Sequence, residues 1–151
     1  PTCLLLSNTS TLSIDEIASA LSPNRRGFCA GWHYFSPAHI MKLVEIVVGS
    51  DTSQETTSIL QVLTKRIGKI GVTVGNCDGF VGNRMLNPYT SEAVLLLAEG
   101  VATIEAIDGA LQGEIGMALG PLQMSDLAGN DNGYFIRKER SSFPKKNYLP
   151  N

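Results

Sequence analysis

The chain holds two histidines, His33 and His39, and any case for acid–base chemistry begins with them. Imidazole is the side chain that takes and returns a proton near neutral pH. His33 lies in Gly31-Trp32-His33-Tyr34-Phe35-Ser36-Pro37, at the carboxyl end of an apolar run that reads as a strand. Open α/β sheets collect their ligands at that edge. Glu45 stands among Leu43, Val44, Ile46 and Val47 in a second such run. A lone carboxylate inside a buried strand costs several kcal/mol, so it needs a partner. The obvious one is an imidazole: paired with His33, Glu45 would fix its tautomer and stabilise the imidazolium after proton capture. Ser7-Asn8-Thr9-Ser10-Thr11 follows a third apolar run and belongs on the same sheet edge. Each feature has a structural alternative. His33 could be a core imidazole wedged among aromatics, His39 a surface or outer-layer imidazole, and the Ser7–Thr11 run a polar capping loop. Ser10, His33 and Glu45 also have the composition of a hydrolase triad, but Ser10 is not in a G-x-S-x-G elbow and no glycine-rich oxyanion loop is visible.

The elements that must position these residues follow from short-range pattern. Cys3–Leu6 is too short for a helix and predicts a buried strand. Ser13-Ile14-Asp15-Glu16 predicts a reciprocal capping box before Ile17, Ala18 and Leu21, with Pro23 and Asn24 closing that helix. Phe28–Tyr34 and the β-branched run Leu43–Val48 predict two more strands. Ser53 is a good N-cap for a helix carrying Ile59, Val62, Leu63 and Ile67 on one face, ended by Gly68. Ile70–Val74 predicts a fourth strand, and strands alternating with helices mean an α/β layer with a partly parallel sheet. After Gly79 the pattern turns helical. Phe80–Glu99 predicts a long helix that Pro88 should bend or break, and Thr103 caps another running to about Gln112, with Glu105 in its first turn. The change near Asn76–Gly79 marks a domain boundary.

Composition limits the function classes. A net charge of −2 points to no nucleic-acid partner. No apolar run approaches the roughly 18 residues of a membrane span. Charged residues are 17% of the chain, against roughly 25% in an average soluble protein, which predicts extensive burial or faces that pack on another domain. Arg137, Lys138, Arg140, Lys145 and Lys146 read as a solvated basic tail. Cys3, Cys29 and Cys77 lack metal-ligand spacing and read as buried, reduced thiols of an intracellular protein. The chain opens on an apolar run without Met, which predicts a piece of something longer.

Several motifs, in order, resemble the L-3-hydroxyacyl-CoA dehydrogenase family. They are Ser7-Asn8-Thr9-Ser10, the run from His33 to Glu45, Gly75-Asn76-Cys77-Asp78-Gly79-Phe80-Val81-Gly82-Asn83-Arg84, Met117 to Pro121, and Asp126-Leu127-Ala128-Gly129-Asn130-Asp131. The wording is most similar to the dehydrogenase part of peroxisomal bifunctional enzymes and their bacterial relatives, which fuse it to an enoyl-CoA hydratase. The resemblance implies an α/β fold: the C-terminal part of a Rossmann-type NAD-binding domain at 1–78, then the start of an all-helical dehydrogenase C-terminal domain at 79–136, with a basic tail or linker at 137–151. It implies NAD as cofactor, an acyl-CoA substrate, no metal, and a dimer or packing against a hydratase part. It suggests a peroxisomal location, with a bacterial cytoplasm as the other expectation. By the same resemblance His33 is the catalytic base and Glu45 orients it. Ser10 and Asn83 bind the substrate oxygens beside the nicotinamide, and Ser10 and Asn8 lie on the cofactor side. Ser36 matches a position contacting the nicotinamide end, where shorter relatives carry Asn.

One departure dominates. The family's glycine-rich phosphate loop is expected upstream of residue 1, and Gly71, Gly75, Gly79 and Gly82 do not form a strand–G-x-G-x-x-G–helix unit. The half-sheet that remains would expose an edge and an apolar face. Two other readings stand beside oxidation of L-3-hydroxyacyl-CoA: a non-catalytic interaction module on the same fold, or a dehydrogenase of another 3-hydroxy acid. The expected outcome for the 151-residue chain by itself is negligible reduction of acetoacetyl-CoA by NADH. A longer chain that includes the phosphate loop should turn over readily in the same assay. Equal turnover by the two would remove the expectation.

Overall fold

The computed structural model of the chain describes residues 3–131 and Tyr134, so the basic cluster at Arg137–Lys146 lies outside the described residues. The four apolar runs form one sheet, with β1 (Leu5–Ser7), β2 (Cys29–Tyr34), β3 (Leu43–Val48) and β4 (Ile70–Gly75) in the order β1-β2-β3-β4. β1 and β2 are parallel, as are β3 and β4, while β2 and β3 are antiparallel. The sheet is therefore partly parallel, as the alternating pattern predicts. By contact density the chain divides into two compact units, 1–85 and 86–151.

In the first unit, β3 is the centre of the core. Successive side chains alternate across a strand, so Val47 and Ile46 point to opposite faces. Val47 packs with Cys29, Val74, Phe80 and with Ile14 and Ala18 of α1 (Ile14–Ser19). Ile46 packs with Ala30 and with Leu60 of α3 (Gln54–Arg66), which follows the short α2 (Pro23–Arg26). Burial on both faces explains why Leu43–Val48 is apolar at every position except Glu45 rather than alternating.

Four local expectations need correction. Pro23 and Asn24 do not close α1, which ends at Ser19; Pro23 opens α2, its fixed φ suiting the first helical position. The capping box is half formed: Ser13 Oγ accepts from the Glu16 amide at 3.4 Å, but the Glu16 side chain does not return a bond to the Ser13 amide; Asn76 joins the cap instead, its Oδ1 accepting from the Ile14 amide at 3.1 Å and its Nδ2 donating to Ser13 Oγ at 2.9 Å. On α3 the packed face is Thr56, Thr57, Leu60 and Thr64, while Ile59 and Val62 are 39% and 59% exposed. The reason is polar: the groups facing the helix need partners. Thr56 Oγ1 donates to Gly27 O at 2.8 Å, and Trp32 Nε1 donates to Thr64 Oγ1 at 2.8 Å. Finally, Cys3 is exposed beside the short β1; Cys29 is buried, which pushes its thiol pKa up, and Cys77 is half-buried.

The second unit holds most of α4 (Gly82–Ala98, with Pro88 inside it), α5 (Ile104–Gly113) and α6 (Pro121–Ala128). α5 is capped as its sequence predicts, Thr103 Oγ1 accepting from the Ala106 amide at 3.3 Å. α6 starts at Gly120-Pro121, where the capping residue has no side chain. Buried Asp108 of α5 supplies the missing acceptor: its two oxygens take the amides of Leu122 and Gln123, both at 2.9 Å. A Cβ on Gly120 would collide with the Asp108 carboxyl group, so this close approach requires glycine.

One polar cluster ties the ends of β3 and β4 to the start of α1. Asp15 Oδ1 accepts from the Ser50 amide at 2.7 Å and the Ser50 hydroxyl at 3.0 Å, and Oδ2 accepts from Asn76 Nδ2 at 2.8 Å. Burial alone would raise the Asp15 pKa, but the Ser50 amide, the Asn76 side chain and the Ser50 hydroxyl outweigh it and hold the carboxyl below its ordinary value. A carboxyl lowered in the folded state contributes stability above its unfolded pKa, and that stability is lost as pH falls through the folded value. Asp15→Ala should therefore cost about 1–2 kcal/mol at neutral pH. The gap to the parent chain should narrow on acidification below about pH 4. Urea denaturation of both proteins along a pH series measures this, and a gap that persists undiminished into acid would show that the Asp15 charge is not the stabilising feature.

Candidate active site

The β1–α1 connection carries Ser10 and has no regular backbone partners, so its side chains supply them. Thr9 N donates to Ser7 Oγ at 3.2 Å, and Thr9 Oγ1 accepts from the amides of Thr11 and Leu12 at 3.2 and 2.8 Å. Asn8 Oδ1 accepts from the Tyr34 amide at 2.8 Å, pinning the connection to the end of β2. The polar run is thus the capping loop of the structural alternative and, at the same time, the mount for Ser10. Ser10 Oγ lies 3.0 Å from Nε2 of His33.

His33 and Glu45 are direct neighbours across the antiparallel β2–β3 pair, and each is 2% exposed. His33 Nδ1 lies 2.8 Å from Glu45 Oε2. Glu45 Oε1 accepts from the amides of Val81 and Gly82 at 3.0 and 2.9 Å. The carboxylate is therefore balanced by an imidazole and by the amino-terminal amides of α4, where a helix is partially positive. The backbone turns to make this possible. Gly79 has φ +72° and Phe80 has φ +48°, a left-handed conformation that costs a non-glycine residue about 1–2 kcal/mol. Helical structure consequently begins at Gly82 rather than at Phe80 as the sequence pattern predicts. Phe80 is buried, and its ring sits edge-on to the His33 ring with centroids 5.5 Å apart; Phe35 lies on the imidazole at 4.8 Å.

This arrangement has one chemical consequence. An ionised carboxylate only accepts, so Nδ1 carries the proton and Nε2 presents a lone pair to the Ser10 hydroxyl. Nε2 is then a base whose protonated form is stabilised by Glu45 across the ring.

Of the residues singled out from sequence, the structure joins Ser10, His33 and Glu45 in one hydrogen-bonded chain and places Asn8 beside it. Ser36 is exposed just beyond β2, and Asn83 is half-buried as the second residue of α4. Among the described residues neither bonds to that chain. His39 is exposed. Among the described residues no cluster of three His, Cys, Asp or Glu side chains could hold a metal. Sequence reasoning missed the amides of Val81 and Gly82 and the rings of Phe35 and Phe80. The signal for the amides was present: a carboxylate has about four lone-pair sites, and one imidazole fills only one of them.

Glu45→Gln should reverse the His33 tautomer. The glutamine oxygen would stay on the two helix amides, and its NH2 would face Nδ1, forcing the ring proton to Nε2. Nitrogen NMR of labelled histidine reads this directly; an unchanged tautomer in the variant would mean that Glu45 does not govern it.

Residues 1–77 match the family 3-hydroxyacyl-CoA dehydrogenase, NAD binding domain, and residues 79–151 match 3-hydroxyacyl-CoA dehydrogenase, C-terminal domain. A peroxisomal bifunctional enzyme of Danio rerio is 52% identical over 139 residues, which cover 92% of this chain and 19% of that protein. A 3-hydroxyadipyl-CoA dehydrogenase of Escherichia coli (strain K12) is 43% identical over 136 residues, covering 90% of this chain and 28% of that one. The crystal structure of 3-hydroxybutyryl-CoA dehydrogenase from Escherichia coli K12 superposes with a TM-score of 0.86 at 38% identity, covering 100% of this chain and 32% of that chain. The chain thus spans about a fifth of the length of the bifunctional relative. Sheet, helices and both matched halves agree: the chain belongs to the 3-hydroxyacyl-CoA dehydrogenase family.

Proposed function

We propose that the protein carrying this chain oxidises the 3-hydroxyl of an L-3-hydroxyacyl-CoA to the 3-keto group, with NAD as hydride acceptor, as a step of fatty-acid β-oxidation. The observation that carries the reading is the buried relay Ser10–His33–Glu45, with Glu45 anchored on the amides of Val81 and Gly82. The residues fit the nicotinamide end of the cofactor. Asn8 Oδ1 is committed to Tyr34, which leaves its Nδ2 at the carboxyl end of the parallel pair β1–β2, beside Ser10. NAD, when bound, supplies the two-electron acceptor. The chain's own residues do the rest. Nε2 of His33 takes the hydroxyl proton, Glu45 stabilises the imidazolium, and Ser10 directs the substrate oxygen toward Nε2. Asn83 is assigned to the substrate oxygens and Ser36 to the nicotinamide end, both on the family match.

The same reading assigns residues 1–78 to the NAD-binding domain, residues 79–136 to the helical domain, and 137–151 to a tail or linker. It takes an acyl-CoA thioester as substrate, and a second subunit or a fused hydratase part as packing partner. A peroxisomal location is supported by relatives named as peroxisomal bifunctional enzymes. Among the described residues no helix is long and apolar enough to cross a membrane.

In the full-length protein, His33→Gln should lower kcat for NADH formation from a 3-hydroxyacyl-CoA by about 10²–10⁴-fold, with NAD affinity nearly intact. Comparison of CoA thioesters with free 3-hydroxy acids tests the substrate class. Activity that survives in His33→Gln would make His33 a core imidazole after all.

A further inference from the structure

We infer that Lys69 is a positioning residue for this reaction, holding the β2–β3 connection that carries Ser36; the inference rests on the function proposed above. Lys69 lies between α3 and β4. Its backbone is fixed on both sides: its own amide donates to Thr64 O at 3.1 Å, and the next amide, of Ile70, donates to Lys42 O at 2.9 Å. From there the side chain reaches back over the connection between His33 and Glu45. Lys69 Nζ donates to the carbonyls of Ala38 at 2.6 Å and Met41 at 2.7 Å, and lies 5.9 Å over the Tyr34 ring.

The geometry of the connection explains why a cation is placed there. The amides of Ile40 and Met41 both donate to Pro37 O, at 3.0 and 2.9 Å, closing a single helical turn. Such a turn leaves its later carbonyls without backbone donors, and its carboxyl end is partially negative. One ammonium satisfies two of these carbonyls with charge-assisted bonds, which are stronger than neutral ones. The side chains of Ser36, Pro37, Ala38, His39, Ile40 and Met41 are all exposed, so apolar packing contributes little to holding the turn. His33 and Glu45, by contrast, are registered in the sheet and buried. Loss of the Lys69 ammonium should therefore loosen Ser36 and its turn while sparing the proton relay. In kinetic terms the effect belongs to cofactor binding rather than to proton transfer.

The test uses the full-length protein. Lys69→Met should raise KM for NAD about tenfold, the scale of one charge-assisted bond, with kcat within about threefold and little change in Tm. Exchange of the Ile40 and Met41 amides should accelerate by a similar factor, while the Ile46 and Val47 amides of β3 stay protected. Lys69→Arg keeps a donor that can reach both carbonyls and should restore most of the NAD affinity. An active parent protein whose KM for NAD is unmoved in Lys69→Met overturns this proposal alone, even if loop exchange changes, because Lys69 is then only a structural staple. A parent protein with no 3-hydroxyacyl-CoA dehydrogenase activity overturns the functional reading and this proposal with it.

Discussion

A carboxylate removed from water must find donors for its lone pairs or give up its charge, and Glu45 is such a group at the centre of the sheet. Its donors come from separate parts of the chain: an imidazole across the β2–β3 ladder and two successive amides at the start of α4. Each imposes a condition. The imidazole requires the antiparallel register that sets His33 opposite Glu45, since a slip of one residue would turn one of them to the other face. The amides require the chain after β4 to reverse through Gly79 and Phe80, both at positive φ, so that α4 starts with its amino terminus against the sheet. The backbone cost at Phe80 is offset by burying that ring against His33.

The helical unit uses the same device for a different end. Asp108 gives both of its oxygens to the amides of α6, and it functions as a cap. Glu45 divides its oxygens, one to the helix and one to His33. That division separates a carboxylate that only caps a helix from one that also orients an imidazole. The helix amides hold the Glu45 charge in place, and the second oxygen is left to define which ring nitrogen of His33 is the base.

The existence of four strands, the caps at Ser13, Ser53 and Thr103, and the pairing of His33 with Glu45 were legible because each follows from short-range pattern or from a single unpaired charge; the burial expected of Cys3–Leu6 was not met, since β1 is Leu5–Ser7 with Leu6 exposed. The packed face of α3 was not legible. Periodicity ranks positions by apolarity, and here hydroxyl groups lie on the buried stripe because Trp32 Nε1 and Gly27 O require partners there. The start of α4 was also misjudged, since propensity sees Phe80 as a helical residue and cannot see that Glu45 needs the amides beyond it. Lys69 stayed hidden for a related reason. Nothing local to Gly68-Lys69-Ile70 marks the side chain as anything but solvated, and its partners, Ala38 and Met41, are backbone carbonyls far away in sequence.

Hydrogen-bond connectivity alone does not decide the reaction, because a serine, a histidine and a carboxylate in series also describe a hydrolase. The surroundings of Ser10 bear on the choice. A nucleophilic serine needs amides aimed at the oxyanion that forms beside it, worth about 3–4 kcal/mol for one such donor. The amides that follow Ser10, those of Thr11 and Leu12, already donate to Thr9 Oγ1. The loop that presents the serine has therefore committed the two amides that follow it to its own turn. A hydride transfer asks for no such hole: the charge that develops is a proton on Nε2, and the group that stabilises it is Glu45, already within 2.8 Å of the same ring. On this ground the geometry, independently of family membership, favours a serine that orients an oxygen over a serine that attacks a carbonyl.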